Sequence, residues 1–143
     1  MTPTLRGRIE TRIIVVLAVG FLWTILLSPV LTLITFGPSF VEILGFGLLA
    51  VVLTAVFGAL IWEPLYHGLQ QFRWEKDWPT GLGLVTGLNE GLLVLIFLVL
   101  FGATSIFAFF VHFTTTWLLI WFFLNGPLRV LLPEWRFRGG RFS

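Results

Sequence analysis

Four apolar runs of about twenty residues each, almost free of charge, limit what this chain can fold into. They cover residues 13–36, 41–62, 81–101 and 105–124. A helix rises about 1.5 Å per residue, so roughly 20 such residues cross the roughly 30 Å of hydrocarbon in a bilayer. None of the runs alternates with the period of two that marks a strand, and all are longer than the roughly 9–11 residues of a membrane barrel strand. Backbone polar groups in lipid must satisfy one another, so each run is predicted to be a helix. Composition points the same way. Of 143 residues, 57% are hydrophobic and 11% charged, against about 25% charged in a soluble domain. A soluble fold of this size buries only about two-thirds of the surface its unfolded chain exposes, too little to hide such an apolar load.

The links between runs suggest their arrangement. Gly37-Pro38-Ser39 and Gly102–Thr104 are tight turns, whereas the middle link, residues 63–80, is longer. The expected fold is an all-α membrane protein. It is one domain over residues 1–143, a four-transmembrane-helix bundle built as two antiparallel hairpins. An interfacial amphipathic segment (63–80) lies between spans two and three, and a basic aromatic tail (125–143) comes after span four. Pro29 is expected to kink span one. Pro79 suits the first turn of span three, with Asp77 or Thr80 as a nearby cap. Asn125-Gly126-Pro127 has the order of a helix stop.

The basic residues give a direction. Arg6, Arg8 and Arg12 precede span one, Arg73 and Lys76 lie in the middle link, and Arg129, Arg136, Arg138 and Arg141 come after span four. Four spans put these three regions on one side, and the two tight turns opposite contain no Lys or Arg. All nine basic residues therefore obey the positive-inside rule, with both termini expected in the cytoplasm. That bias argues against dual-topology multidrug transporters, which insert both ways. The first apolar run exceeds the roughly 7–15 residues of a signal-peptide core and no small-x-small site comes after it, so it is read as a retained span. Lys76 is the only lysine among the basic residues, a bias that fits a GC-rich bacterial genome and hence the bacterial inner (plasma) membrane.

Two surface stretches carry aromatic and basic groups. In the middle link Leu65, Leu69 and Phe72 recur at helical spacing, flanked by Trp62, Tyr66, Trp74 and Trp78. This reads as a helix lying in the headgroup layer with an aromatic belt, or as a docking surface. The tail interleaves Trp135 with Arg136, Arg138 and Arg141, which suits contact with membrane lipids or with a neighbouring subunit. Its single R-G-G does not argue for nucleic acid, which is not expected as a partner.

Lipid gives helices no hydrophobic reason to associate, so small and polar residues must hold a bundle together. Gly83, Gly87 and Gly91 form two overlapping G-x-x-x-G units, a packing face for another span or another chain. Thr24, Ser28, Thr32 and Thr35 stripe span one; Ala50, Thr54 and Gly58 stripe span two; Ser105, Ala108, His112 and Thr115 stripe span four. Such hydroxyls bond either across helices or back to their own carbonyls. Glu90 and His112 are ionisable groups inside spans, where an unpaired charge costs several kcal/mol. At about 1.5 Å per residue they lie roughly 14 and 18 Å deep. The expectation is a buried polar pair, Glu90 with His112, joined by Asn89 and Thr115, or else a proton- or ion-linked site. Glu63 and His67, four residues apart, are expected to form a solvated interfacial pair.

The absence of cysteine excludes disulfides, thiolate metal sites and thiol redox chemistry. His67 and His112 sit at different levels, so no haem is expected between them; neither a metal nor another cofactor is anticipated. No nucleophile elbow, phosphate loop or H-E-x-x-H is present, so an enzyme, including one acting on lipid, is not the expected reading. The favoured expectation is a non-catalytic accessory or assembly subunit of a larger membrane complex, with other membrane protein subunits as partners. The alternative is a small proton- or ion-linked transporter or channel, a homo-oligomer working around Glu90 and His112.

Overall fold

The computed structural model describes residues 4–73 and 79–143. Among the described residues the regular structure is all helical: α1 (Leu5–Ile34), α2 (Phe40–Phe57), a π-helical turn (Gly58–Trp62), α3 (Glu63–Gln71), α4 (Leu82–Leu100), α5 (Ile106–Asn125), α6 (Pro127–Leu131) and α7 (Pro133–Phe137). Four helical stretches, Leu5–Ile34, Phe40–Gln71, Leu82–Leu100 and Ile106–Leu131, are long and apolar enough to cross a membrane.

Local chemistry sets most of the ends. Thr4 caps α1, its hydroxyl accepting from Gly7 N, so the helix begins eight residues before the apolar run. It continues unbroken through Pro29. Ser39 and Glu42 form a reciprocal capping box at the start of α2, and Gly37 and Gly102 take the positive φ that the two short turns require. Ser105 caps α5 through Ala108 N. Helix α5 stops at Asn125, and Pro127 opens α6, as the Asn-Gly-Pro order predicts. Gly81 stands at the N-cap of α4 and supplies no side-chain cap; Asp77 lies outside the described residues.

The second stretch departs from the sequence expectation. Rather than ending at Trp62 before a separate surface helix, α2 runs through the π-turn directly into α3, and the helix continues to Gln71. The π-turn is the physical reason. Glu63 N bonds to Gly58 O, five residues back, which widens the helix just before Pro64, where the proline sits in the first turn of α3. Glu63, Tyr66 and Gln70 then share one face at spacings of three and four, and that face points into the bundle: Glu63 and Gln70 are buried.

Helix α1 packs on α2 and on α5, α2 packs on α4, and α4 packs on α5. Helices α2 and α5 also touch across one diagonal, while α1 and α4 barely meet across the other. One core cluster gathers Val15, Val16, Val51, Ala55 and Ile120 with Leu128 and Trp135 of the tail. A second, toward the opposite end, holds Ala50, Val94, Leu98 and Phe109. The glycine stripe of α4 meets the next span of the same chain. A Cβ at Gly87 would fall 2.6 Å from Trp117 Nε1, and one at Gly91 would fall 2.7 Å from Phe113 Cε1. Gly83, more exposed, lies against Trp121. The glycines thus form a flat bed for three aromatic rings.

The tail also folds back. Thr4 N donates to Gly139 O, Thr11 Oγ1 donates to Gly140 O, and Trp135 Nε1 donates to Thr11 Oγ1. Trp135 is therefore a core side chain, packed beside Phe142, rather than the interfacial aromatic expected of it. Arg136, Arg138 and Arg141 stay on the outside; Arg138 pairs with Glu134, and Arg141 Nε donates to Arg138 O.

Gly58 tests this packing. A Cβ there would lie 2.7 Å from Arg12 Cδ, whereas Gly45 has nothing within 4 Å. Gly58→Val should lower stability by roughly 1–3 kcal/mol, as overpacking does, measured by thermal unfolding in detergent. Gly45→Ala should unfold at the wild-type temperature or above it. Equal melting of wild type and Gly58→Val would contradict the close packing.

Candidate functional site

The polar centre of the molecule lies at the arginine-bearing end and is assembled from three helices. Arg8 and Arg12, one turn apart on α1, share a face. Glu63, Tyr66 and Gln70 face them from α3, and Glu90 reaches in from α4. Arg12 is the hub. Its Nε and Nη2 donate to Glu63 Oε1 at 2.9 and 2.6 Å, while Nη1 and Nη2 donate to Glu90 Oε2 and Oε1 at 2.9 and 3.0 Å. Arg8 Nη1 donates to Glu63 Oε2 at 3.3 Å, and Arg8 Nη2 donates to Gln70 Oε1. Tyr66 OH donates to Glu90 Oε1 at 3.2 Å and accepts from Asn89 Nδ2 at 2.9 Å. The Arg12 side chain is 10% exposed and that of Glu90 is 1% exposed.

Two guanidiniums thus face two carboxylates, and the group of four is neutral. Each of the four carboxylate oxygens accepts at least one hydrogen bond. Such charge-assisted bonds are the strong kind, and they offset the several kcal/mol that each buried ion costs. The π-turn and Gly58 make the arrangement fit. The turn brings Glu63 inward, and the missing side chain leaves room for the Arg12 stem. Arg12 also lies 5.4 Å over the Trp117 ring, a cation–π contact.

His112 belongs to a separate polar level. Its Nε2 lies 2.7 Å from Thr24 Oγ1, which itself lies 2.7 Å from Gly20 O. Both contacts are satisfied together when Thr24 donates to Gly20 O and accepts from His112 Nε2–H. Other hydroxyls bond back to their own helices: Ser28 to Thr24 O, Thr32 to Ser28 O, Thr54 to Ala50 O and Thr116 to His112 O; Thr35 Oγ1 is buried without a partner. Thr115 bonds back to Val111 O and accepts from Trp23 Nε1.

The sequence-predicted residues therefore divide between two levels. Glu90 and His112 take different partners, Arg12 with Tyr66 and Thr24 respectively, in place of one another. Asn89 reaches Glu90 through Tyr66, and Thr115 serves Trp23. Glu63, expected to be solvated beside His67, is buried between two arginines, while His67 Nδ1 is buried without a partner. Tyr66, expected in an aromatic belt, belongs to the cluster and stacks on Trp62 at 5.9 Å. Trp74 and Trp78 lie outside the described residues. Arg8, Arg12, Glu63 and Gln70 were not expected here. Their only sequence signal is the demand of a Glu90 inside an apolar run for a cation, together with the i, i+4 spacing of Arg8 and Arg12.

A cavity of about 280 Å³ opens beside the cluster, walled by Arg8, Arg12, Tyr66, Trp117, Trp121 and Arg129 among others. It occupies the diagonal where α1 and α4 do not pack. Among the described residues no three His, Asp or Glu side chains gather as a metal site would need. Searches of protein families, curated proteins and solved structures find no match to this chain.

Breaking the cluster on one side should be costly. Arg12→Met leaves Glu90 with Tyr66 alone and should destabilise by about 3–5 kcal/mol, as loss of one partner of a buried ion pair does. Adding Glu90→Gln to that variant should restore part of the loss, because the stranded charge is gone. Chemical unfolding in detergent measures both. A double variant less stable than Arg12→Met would refute the pairing.

Proposed function

We propose that this chain crosses the membrane four times as two antiparallel hairpins, with its arginine-bearing end in the cytoplasm. We further propose that it acts as a non-catalytic accessory or assembly subunit of a larger membrane complex. One observation carries the second point: all four oxygens of Glu63 and Glu90 are committed to Arg8, Arg12 and Tyr66. A carboxylate that moved protons or ions in each cycle would have to leave those bonds, in a medium where an unpaired charge costs several kcal/mol. A cluster whose carboxylate oxygens are all engaged, and whose two arginines and two glutamates balance in charge, suits a clasp that fixes three helices. The outward faces, with Leu22, Leu26, Leu33 and Leu88 exposed, suit membrane lipids and neighbouring membrane subunits, further copies of this chain included. Exposed Arg136 and the basic tail give such a complex a cytoplasmic handle.

Two measurements test this reading. The chain has no cysteine, so single cysteines report sidedness directly. In intact cells an impermeant maleimide should label Ser39→Cys and spare Ser143→Cys; the reverse pattern would overturn the orientation. Purification in mild detergent should yield a membrane protein partner in fixed stoichiometry that Arg136→Glu/Arg141→Glu releases. A chain that purifies alone would overturn the subunit reading.

One observation favours the transporter alternative. Two smaller cavities, about 40 and 10 Å³, are both lined by His112 and Ala50, and the smaller of them shares Val16, Trp117 and Ile120 with the large cavity. A water needs about 10–15 Å³ of such volume, so the larger of the two has room for water beside His112, and the smaller lies between it and the large cavity. On this reading Glu90→Gln should reduce proton flux into proteoliposomes to that of protein-free vesicles. Unchanged flux would remove it.

A further inference from the structure

Arg129 is a guanidinium that the clasp does not use. It lines the large cavity with Arg8 and Arg12, but those two are matched by Glu63 and Glu90. Arg129 Nη2 donates to Asn125 Oδ1, a neutral amide, its Nε is buried without a partner, and among the described residues no carboxylate pairs with it. The cavity wall therefore carries one positive charge without a counter-ion, at a half-buried position where a charge gains most from finding one.

The rest of the wall is mostly apolar, and its charges are matched: Arg8 and Arg12 by Glu63 and Glu90, although Arg8 Nε is itself buried without a partner. Trp117 Nε1 donates to Gly83 O and Trp121 Nε1 to Thr80 O, so both indoles spend their polar atoms on α4 and its approach. Val15, Leu82, Ile120 and Leu124 supply apolar lining beside them. At about 280 Å³ the space lies near the lower end of small-molecule sites, roughly 300–1,000 Å³. One cation without a counter-ion, in a pocket that is mostly apolar and aromatic and whose other charges cancel, selects a ligand that is anionic at one point and apolar beside it.

From this we infer that the cavity binds the headgroup of an anionic phospholipid, its phosphate on Arg129 and its glycerol and upper acyl carbons against Trp117 and Trp121. The inference rests on the membrane-spanning reading, which puts this end of the bundle in the cytoplasmic leaflet, where anionic lipids concentrate. It does not depend on the subunit reading. A bound lipid would also fill the diagonal that α1 and α4 leave open.

Native mass spectrometry of the purified chain, released from nanodiscs of equal phosphatidylglycerol and phosphatidylcholine, tests it. Wild type and Arg129→Lys should retain one phosphatidylglycerol per chain. Arg129→Gln should lose it by about tenfold or more, the worth of one hydrogen bond to a charged group. Thr86→Trp, which fills the cavity and leaves Arg129 in place, should lose it too. Thermal melting of each variant separates lost binding from lost folding. Equal retention of the two lipids, or retention unchanged in both the Arg129→Gln and Thr86→Trp variants, would overturn the proposal. Displacement of the lipid by inorganic phosphate would overturn it in favour of a small soluble anion. Failure to enter nanodiscs would overturn the spanning reading with it, whereas absence of a partner subunit leaves lipid retention unaffected.

Discussion

A guanidinium taken out of water must be met by negative charge, and the arginine-bearing half of this fold is arranged around meeting that demand at Arg12. Its planar fork offers donors in two directions, and the chain supplies a carboxylate for each: Glu63 from α3 and Glu90 from α4. Lysine, a point charge on a flexible stem, could not span both with fixed geometry. Other features serve the same need. The π-turn rotates Glu63 inward, Gly58 yields its side-chain space to the Arg12 stem, and Tyr66 with Asn89 completes the shell of Glu90. Charge joins the three helices α1, α3 and α4.

The opposite half of the bundle is held by a quieter chemistry. Hydroxyls return to their own carbonyls, so Thr24, Ser28 and Thr54 occupy buried positions without leaving donors unmatched. His112 and Thr24 join α5 to α1. At the level of the ion pairs themselves, helices α4 and α5 also meet through a bed of glycines under aromatic rings, where dispersion acts over large flat contacts. The two halves carry the same task by different means: ion pairs and close contact near the basic end, short polar links beyond it.

Hydropathy and turn chemistry made the helices legible. Residues 81–101 and 105–124 correspond to α4 and α5 within a residue, because apolar length and the Gly and Ser at the turns specify them locally. Where a charge would be spent was not legible. Arg8 and Arg12 satisfy a sidedness rule and a structural demand with the same atoms, and the sidedness rule alone gives no reason to seek partners for them. Glu63 looked solvated because it stands at the end of an apolar run, four residues before His67, and a π-turn has no strong sequence signal. Trp135 looked interfacial because nothing local reveals that Thr11 waits for its indole. Each of these depends on a contact between residues distant along the chain, and neither a periodicity nor a spacing records such contacts.

The separation along the chain has a consequence in time. Glu63 lies 51 positions beyond Arg12 and Glu90 lies 78 beyond it, so during synthesis Arg12 leaves the ribosome well before either carboxylate exists. In a chain that spans as proposed, it has until then only water and lipid phosphate for company, and the end of α1 that bears it stays at the membrane edge. In the proposed orientation the same side chain works twice: unpaired, it holds the first helix in its direction, and once α3 and α4 arrive it becomes the bond that keeps them. On that reading assembly uses up the charge that guides insertion, and a late or missing α4 leaves Arg8 and Arg12 to share Glu63 alone.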